Sequence, residues 1–271
     1  MLPHDGSADH NCAVPYPGLD LSGRTAVVLG ATSGIGLAIA RGLAQAGANV
    51  VATGRRQSLV DEAADVVEAL GRRSLRVTSD VTHAASIEAL RNAVVDSLGS
   101  VDILVNAAGI TTRMPTLDMD ETRWREILDT NFMGTLRACR IFGRDMVARG
   151  YGRIINIGSL TSVVALYEVA AYAASKAAVA SLTKSLAIEW ARSGVCVNAI
   201  LPGVFRTALN AGLLDGTARG QELLMRTPMA RFGDVEDLVG AAVFLASESA
   251  RFVTGQLLAV DGGFLASGVN Q

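Results

Sequence analysis

Short β-branched runs alternate with helical stretches along almost the whole chain, and this alternation restricts the fold more than any other feature. RTAVVL (24–29) precedes a helical segment over 35–45, which Gly47 closes. ANVVAT (48–53), SLRVTS (74–79), DILVN (102–106), RIINIG (153–158), VCVNAI (195–200) and QLLAV (256–260) follow. Helical patterns over 58–70, 83–98, 121–149, 170–193 and 234–247 separate them. Strands divided by helices form βαβ units with right-handed crossovers, so the expected fold class is α/β, a single-domain doubly wound parallel sheet with helices on both faces. A composition of 50% apolar and 18% charged residues suits a sheet covered on both sides. No shift in composition divides the chain. One domain is expected over 21–271, after a polar tail at 1–20, with the irregular stretch 204–232 as a mobile lid. Ligands of such sheets bind beyond the carboxyl ends of the strands, which makes the residues just after each strand the informative ones.

After the first strand comes Gly30-Ala31-Thr32-Ser33-Gly34-Ile35-Gly36, which opens a helix. Gly30 can make the turn, Gly34 can admit a diphosphate, and Gly36 can let helix and strand approach. Backbone N–H groups around Thr32, Ser33 and Ile35, with the helix dipole, favour phosphate oxygens. The second strand ends in Thr53-Gly54-Arg55-Arg56. An NAD site commonly carries a carboxylate here for the ribose 2′-hydroxyl, and Gly54 offers none. Arg55 and Arg56 can instead fork onto a 2′-phosphate, so NADP is the expected cofactor and NAD the alternative.

Further motifs stand at strand ends in order: Asn106-Ala107-Ala108-Gly109, then Ser159, then Tyr172-Ala173-Ala174-Ser175-Lys176, then Pro202-Gly203. With the Gly-x3-Gly-x-Gly turn, this series resembles the short-chain dehydrogenase/reductase family over about 21–263. Ala107 replaces the second Asn of the family's NNAG motif. The resemblance implies a Rossmann fold with Asn131, Ser159, Tyr172 and Lys176 as catalytic residues. It places Asp80 and Val81 at the adenine, and Asn106, Ala107, Ala108 and Gly109 along the cofactor cleft. Pro202, Gly203, Val204 and Thr207 fall at the nicotinamide end, and Tyr172 and Lys176 also touch the cofactor. The stretches GITTRMPTLDM, RTPMARFGDVEDLVGAAVFLAS and VDGGFLASG look like the gluconate 5-dehydrogenase branch. That likeness implies a sugar acid or polyol substrate, held by Arg113 through a carboxylate and by Ser159 and Tyr172 at the reacting oxygen. A 3-oxoacyl thioester or steroid-like ketone would use much the same motifs. A non-catalytic, NAD(P)-binding regulator is the alternative from another class.

The spacing of Tyr172 and Lys176 has a direct chemical meaning. Residues four apart share a helix face. A phenol titrates near ~10 and is a poor base at neutral pH, and an adjacent ammonium favours the phenolate. A hydroxyl such as Ser159 can hold the oxygen whose proton is moving.

Other classes fall away on composition. A net charge of −2 gives no footprint for nucleic acid. No apolar run reaches the roughly 20 residues of a membrane span. The first residues, MLPHDGSADHNCAVPYPG, lack the basic start and apolar core of a secretory signal. Cys12, Cys139 and Cys196 form neither a disulfide framework nor, with three scattered histidines, a zinc cluster, so no metal is expected. The location expected is the cytoplasm. The small residues in the helices over 121–149 and 170–193 resemble the family's dimerisation helices, and the family habit implies a homotetramer.

Overall fold

The computed structural model describes residues 17–206 and 211–270. Its strands are β1 (Thr25–Leu29), β2 (Asn49–Thr53), β3 (Ile103–Asn106), β4 (Gly152–Ile157), β5 (Val195–Pro202) and β6 (Leu257–Val260). All pair in parallel, in the order β2-β1-β3-β4-β5-β6. The helices are α1 (Gly34–Gln45), α2 (Gln57–Ala69), α3 (Ala84–Leu98), α4 (Glu121–Leu128), α5 (Gly134–Arg149), α6 (Ala170–Trp190), α7 (Ala211–Leu214), α8 (Ala218–Met225) and α9 (Val239–Ala246).

The two-residue period of each strand sends alternate side chains into two cores. In β1, Ala26 and Val28 face Ile39 and Leu43 of α1, Ala63 and Val67 of α2 and Leu245 of α9. Val27 and Leu29 face Ile87 and Leu90 of α3, Phe142 and Met146 of α5 and Leu186 of α6. Every residue of β1, β3, β4 and β5 is buried, as a sheet covered on both faces requires. The chain reverses its direction of travel across the sheet between β1 and β3, so a crevice opens at their carboxyl ends.

Several expected elements differ, among them the helix expected over 234–247, which is a 3-10 turn at Val235–Leu238 followed by α9. The run 74–79 does not join the sheet as a strand. It follows the β2 edge through Val50 N–H to Arg73 O, 3.0 Å, and Ser79 N–H to Gly54 O, 3.0 Å. The Thr53 hydroxyl reaches Val77 O at 2.6 Å between them. Leu75 and Val77 do pack on the core. The alternating pattern therefore reports which side chains point inward, without ensuring a regular hydrogen-bond ladder. The expected continuous helix over 121–149 is broken into α4, a π turn at Asp129–Met133, and α5. The stretch 204–232, expected to be irregular, contains α7 and α8. No described helix is long and apolar enough to cross a membrane.

Candidate active site

The Gly30–Gly36 turn enters the crevice from β1. A Cβ on Gly30 (φ +78°) would lie 2.5 Å from Ala108 N, so this turn and the loop leaving β3 are in direct contact. A Cβ on Gly36 would overlap the Gly30 carbonyl. Ser33, the N-cap of α1, makes no side-chain cap bond. Among the described residues the N–H groups of Ser33, Gly34, Ile35 and Gly36 have no hydrogen-bond partner. Open donors at a helix start, with Thr32 at the flank, fit a dinucleotide diphosphate.

The rest of the expected cofactor strip lies along the same edge. Arg55 and Arg56 are exposed just beyond β2 and form no ion pair among the described residues. Asp80 accepts from the Thr82 N–H at 2.9 Å and the Thr82 hydroxyl at 2.7 Å. Burial pushes the Asp80 carboxyl up, but these bonds and the charge of Arg55 outweigh it and hold it below its ordinary value. Val81 packs on Gly134 at the start of α5. Asn106 is buried, donating to Asn156 Oδ1 at 2.8 Å, and its own Oδ1 has no partner. Ala107, in the family's second Asn position, keeps a backbone bond to Leu29 O at 2.9 Å. At the opposite end, Pro202 closes β5, Gly203 N–H donates to Val260 O at 2.9 Å, and Val204 packs in a small apolar cluster with Leu160 and Phe264. Thr207 lies outside the described residues.

Tyr172 and Lys176 stand in the first two turns of α6, with the ammonium nitrogen 5.7 Å from the phenol ring centre. Lys176 is buried, and its Nζ donates to Ile157 O at the end of β4, 2.7 Å. Burial alone pushes its pKa down to about 8. Burial pushes the Tyr172 phenol up, and a hydrogen bond with Ser159 pulls against it. Ser159 is held by the turn that follows β4. Its Oγ accepts from Thr161 N–H at 3.1 Å, and the Ser162 hydroxyl accepts from Ser159 N–H at 3.3 Å while donating to Lys176 O at 2.9 Å. One short turn therefore ties the serine to the helix that carries the tyrosine and lysine.

Asn131 sits in the π turn, fully buried. Its Oδ1 accepts from Ile110 N–H at 2.8 Å, and its Nδ2 donates to Ile110 O at 2.9 Å and to Ser175 Oγ at 3.0 Å. A Cβ on Gly109 would be 3.3 Å from Asn131 Oδ1 and 3.6 Å from Lys176 Nζ, so glycine there lets three elements converge. From the π turn the amide reaches both the loop leaving β3 and Ser175 of α6.

Arg113 lies on the loop leaving β3, and its Nε meets Glu168 Oε2 at 2.8 Å. Neither Glu168 nor the linking hydroxyls of Ser162 and Ser175 were among the expected site residues. Short polar side chains carry no periodic signal, and their partners lie far off in sequence. The same holds for Arg219 and Arg226 of α8 and the segment after it, which line a cavity of about 190 Å³ with Leu166, Tyr167 and Phe264. Among the described residues, no cluster of three or more His, Cys, Asp or Glu could hold a metal.

A family model described as Enoyl-(Acyl carrier protein) reductase matches residues 30–265. The 2-dehydro-3-deoxy-D-gluconate 5-dehydrogenase of Bacillus subtilis is 42% identical over 252 residues, covering 92% of this chain and 98% of that protein. Galactitol 2-dehydrogenase (L-tagatose-forming) of Cereibacter sphaeroides is 41% identical over 246 residues, covering 90% and 96%. The crystal structure of a gluconate 5-dehydrogenase from Burkholderia cenocepacia in complex with NADP and tartrate superposes with a TM-score of 0.89 at 40% identity, covering 93% and 98%. The motifs at the strand ends, their convergence on one crevice and these likenesses over nine-tenths of the sequence agree: the chain belongs to the short-chain dehydrogenase/reductase family of NAD(P)-dependent oxidoreductases.

Proposed function

We propose that this enzyme interconverts a secondary alcohol and a ketone on a sugar acid or polyol, with NADP as the preferred partner and NAD as the alternative. The observation that carries the reading is Tyr172, partly buried, beside the buried Lys176, with no carboxylate among the described residues paired to the ammonium. Burial raises the phenol and lowers the ammonium, so each alone resists ionising. Ionised together, phenolate and ammonium relieve each other, which favours the phenolate as a base. NADP, when bound, supplies the hydride acceptor. In the oxidation direction the Tyr172 phenolate takes the proton of the substrate hydroxyl, and Ser159 holds that same oxygen. Asn131 pins the loop leaving β3 to α6 through its amide, so its part is to position these groups.

The open N–H groups of the Gly30–Gly36 turn receive the diphosphate in this reading. Asp80 and Val81 border the adenine, Asn106–Gly109 form the floor, and Arg55 and Arg56 take the 2′-phosphate. The relatives acting on gluconate-type acids and on galactitol support the substrate class. Arg113 supports a carboxylate through whichever guanidinium edge Glu168 leaves open. The single sheet supports one domain over 21–271, with 204–232 as lid. We also infer a homotetramer in the cytoplasm. Ile188, 81% exposed on α6, is the kind of residue an interface would cover, and light scattering tests the assembly.

The experiment is turnover of a panel of sugar acids, hexitols, 3-oxoacyl thioesters and steroid alcohols with NADP and with NAD. Sugar acids or hexitols should give the highest kcat/KM. Tyr172→Phe should retain NADP binding and lose on the order of 10²-fold or more in kcat. Near-parent turnover in that variant would remove the proton-transfer role. Binding of NADP without turnover of any alcohol would favour a regulator.

A further inference from the structure

We propose that Glu168 determines how this site discriminates charged from neutral substrates, by holding Arg113 and cancelling its charge. The proposal rests on the sugar acid or polyol reading above and adds a residue to it. Glu168 lies between the Ser159 turn and α6, four residues before Tyr172. Its φ is +63°, and Ala230 is the only other described non-glycine residue with a positive φ. A side chain in this region costs free energy, so other contacts must hold it there. Two do so, both from the loop leaving β3. Met114 N–H donates to Glu168 O at 2.8 Å, and Arg113 Nε meets Glu168 Oε2 at 2.8 Å. The strained residue thus joins, at two adjacent points, the loop from β3 and the loop that leads into the tyrosine helix.

The form of the ion pair matters for selectivity. The shortest contact is from Nε to Oε2, and among the described residues Arg113 has no other ion-pair partner. Arg113 is 41% exposed and Glu168 only 19%, so an incoming molecule meets the arginine before the carboxylate. The arginine's charge is offset by a carboxylate in contact. Such a pair offers hydrogen bonds to hydroxyls and carboxylates alike and gives anions little long-range advantage. With the Glu168 charge removed and its shape kept, the same donors would carry a full positive charge.

Glu168→Gln makes that change. A substrate carboxylate on the arginine would lie about 6 Å from the lost charge, and with near-aqueous screening the gain is roughly 3- to 10-fold in affinity. Gluconate and a neutral hexitol are the probes. Their dissociation constants are measured by calorimetry on the NADP-saturated protein, alongside kcat/KM. In Glu168→Gln gluconate should bind roughly 3- to 10-fold tighter and the hexitol within about twofold of the parent. Glu168→Gly, which accepts the positive φ without strain, should shift the ratio in the same direction; Arg113→Ala should shift it the opposite way. Equal changes for both probes, or no change in their ratio, would overturn the proposal and leave the substrate class standing. If the parent neither binds nor turns over either probe, the substrate class itself falls and the proposal with it.

Discussion

Replacing Lys176 by methionine should abolish turnover and yet stabilise the cofactor-free protein at neutral pH. The lysine is 4% exposed, and its one hydrogen bond goes to the neutral carbonyl of Ile157. Burial lowers its pKa from 10.5 to about 8. The unfolded chain therefore binds this proton more tightly than the folded one. The cost is felt in full below pH 8 and fades as pH rises from about 8 towards 10.5. At about 1.36 kcal/mol per pH unit the cost is about 3 kcal/mol at pH 7 and about 1.4 kcal/mol at pH 9.5. Methionine fills similar space and gives up the bond to Ile157, worth about 1 kcal/mol at either pH. The variant should gain about 2 kcal/mol at pH 7 and about 0.4 kcal/mol at pH 9.5. Urea unfolding of parent and variant, without NADP and at one protein concentration, reads both values. A variant less stable than the parent at pH 7, or a difference unchanged between the two pH values, would refute the reasoning. Confirmation would mean that the fold gives up stability to keep an ammonium beside Tyr172.

Two other perturbations test the positioning of the site. Asn131→Ala removes three hydrogen bonds, two partly buried to Ile110 and one buried to Ser175, and should cost about 3 kcal/mol in urea unfolding; a loss below about 1 kcal/mol would mean that the β3 loop finds other partners. Replacing Arg55 and Arg56 together by alanine should weaken NADP relative to NAD by about 10- to 150-fold, the scale of one charge-assisted contact; an unchanged ratio of dissociation constants would rule out a 2′-phosphate role. The arginines are better targets than Gly54→Asp, because a Cβ at Gly54 would lie 2.8 Å from Thr32 Cγ2 and disturb the diphosphate turn.

The alternation of strand and helix, the doubly wound sheet and the positions of Gly30, Asn106, Ser159, Tyr172 and Lys176 at its carboxyl edge were all legible in the linear chain. Each rests on local rules: a two- or four-residue period, a glycine at a turn, or a motif just past a strand. The segment 74–79 shows the limit of such rules, since side-chain alternation is local and pairing with β2 is not. Tertiary structure alone decided the π turn from which Asn131 reaches Ile110 and Ser175. It also decided that Arg113 pairs with Glu168, 55 positions away, and how far Lys176 is removed from water. Those features depend on where distant segments come together and on the solvent they exclude. Neither quantity is a property of neighbouring residues, so the sequence by itself determined which groups are present and the packed chain set their charge states and partners.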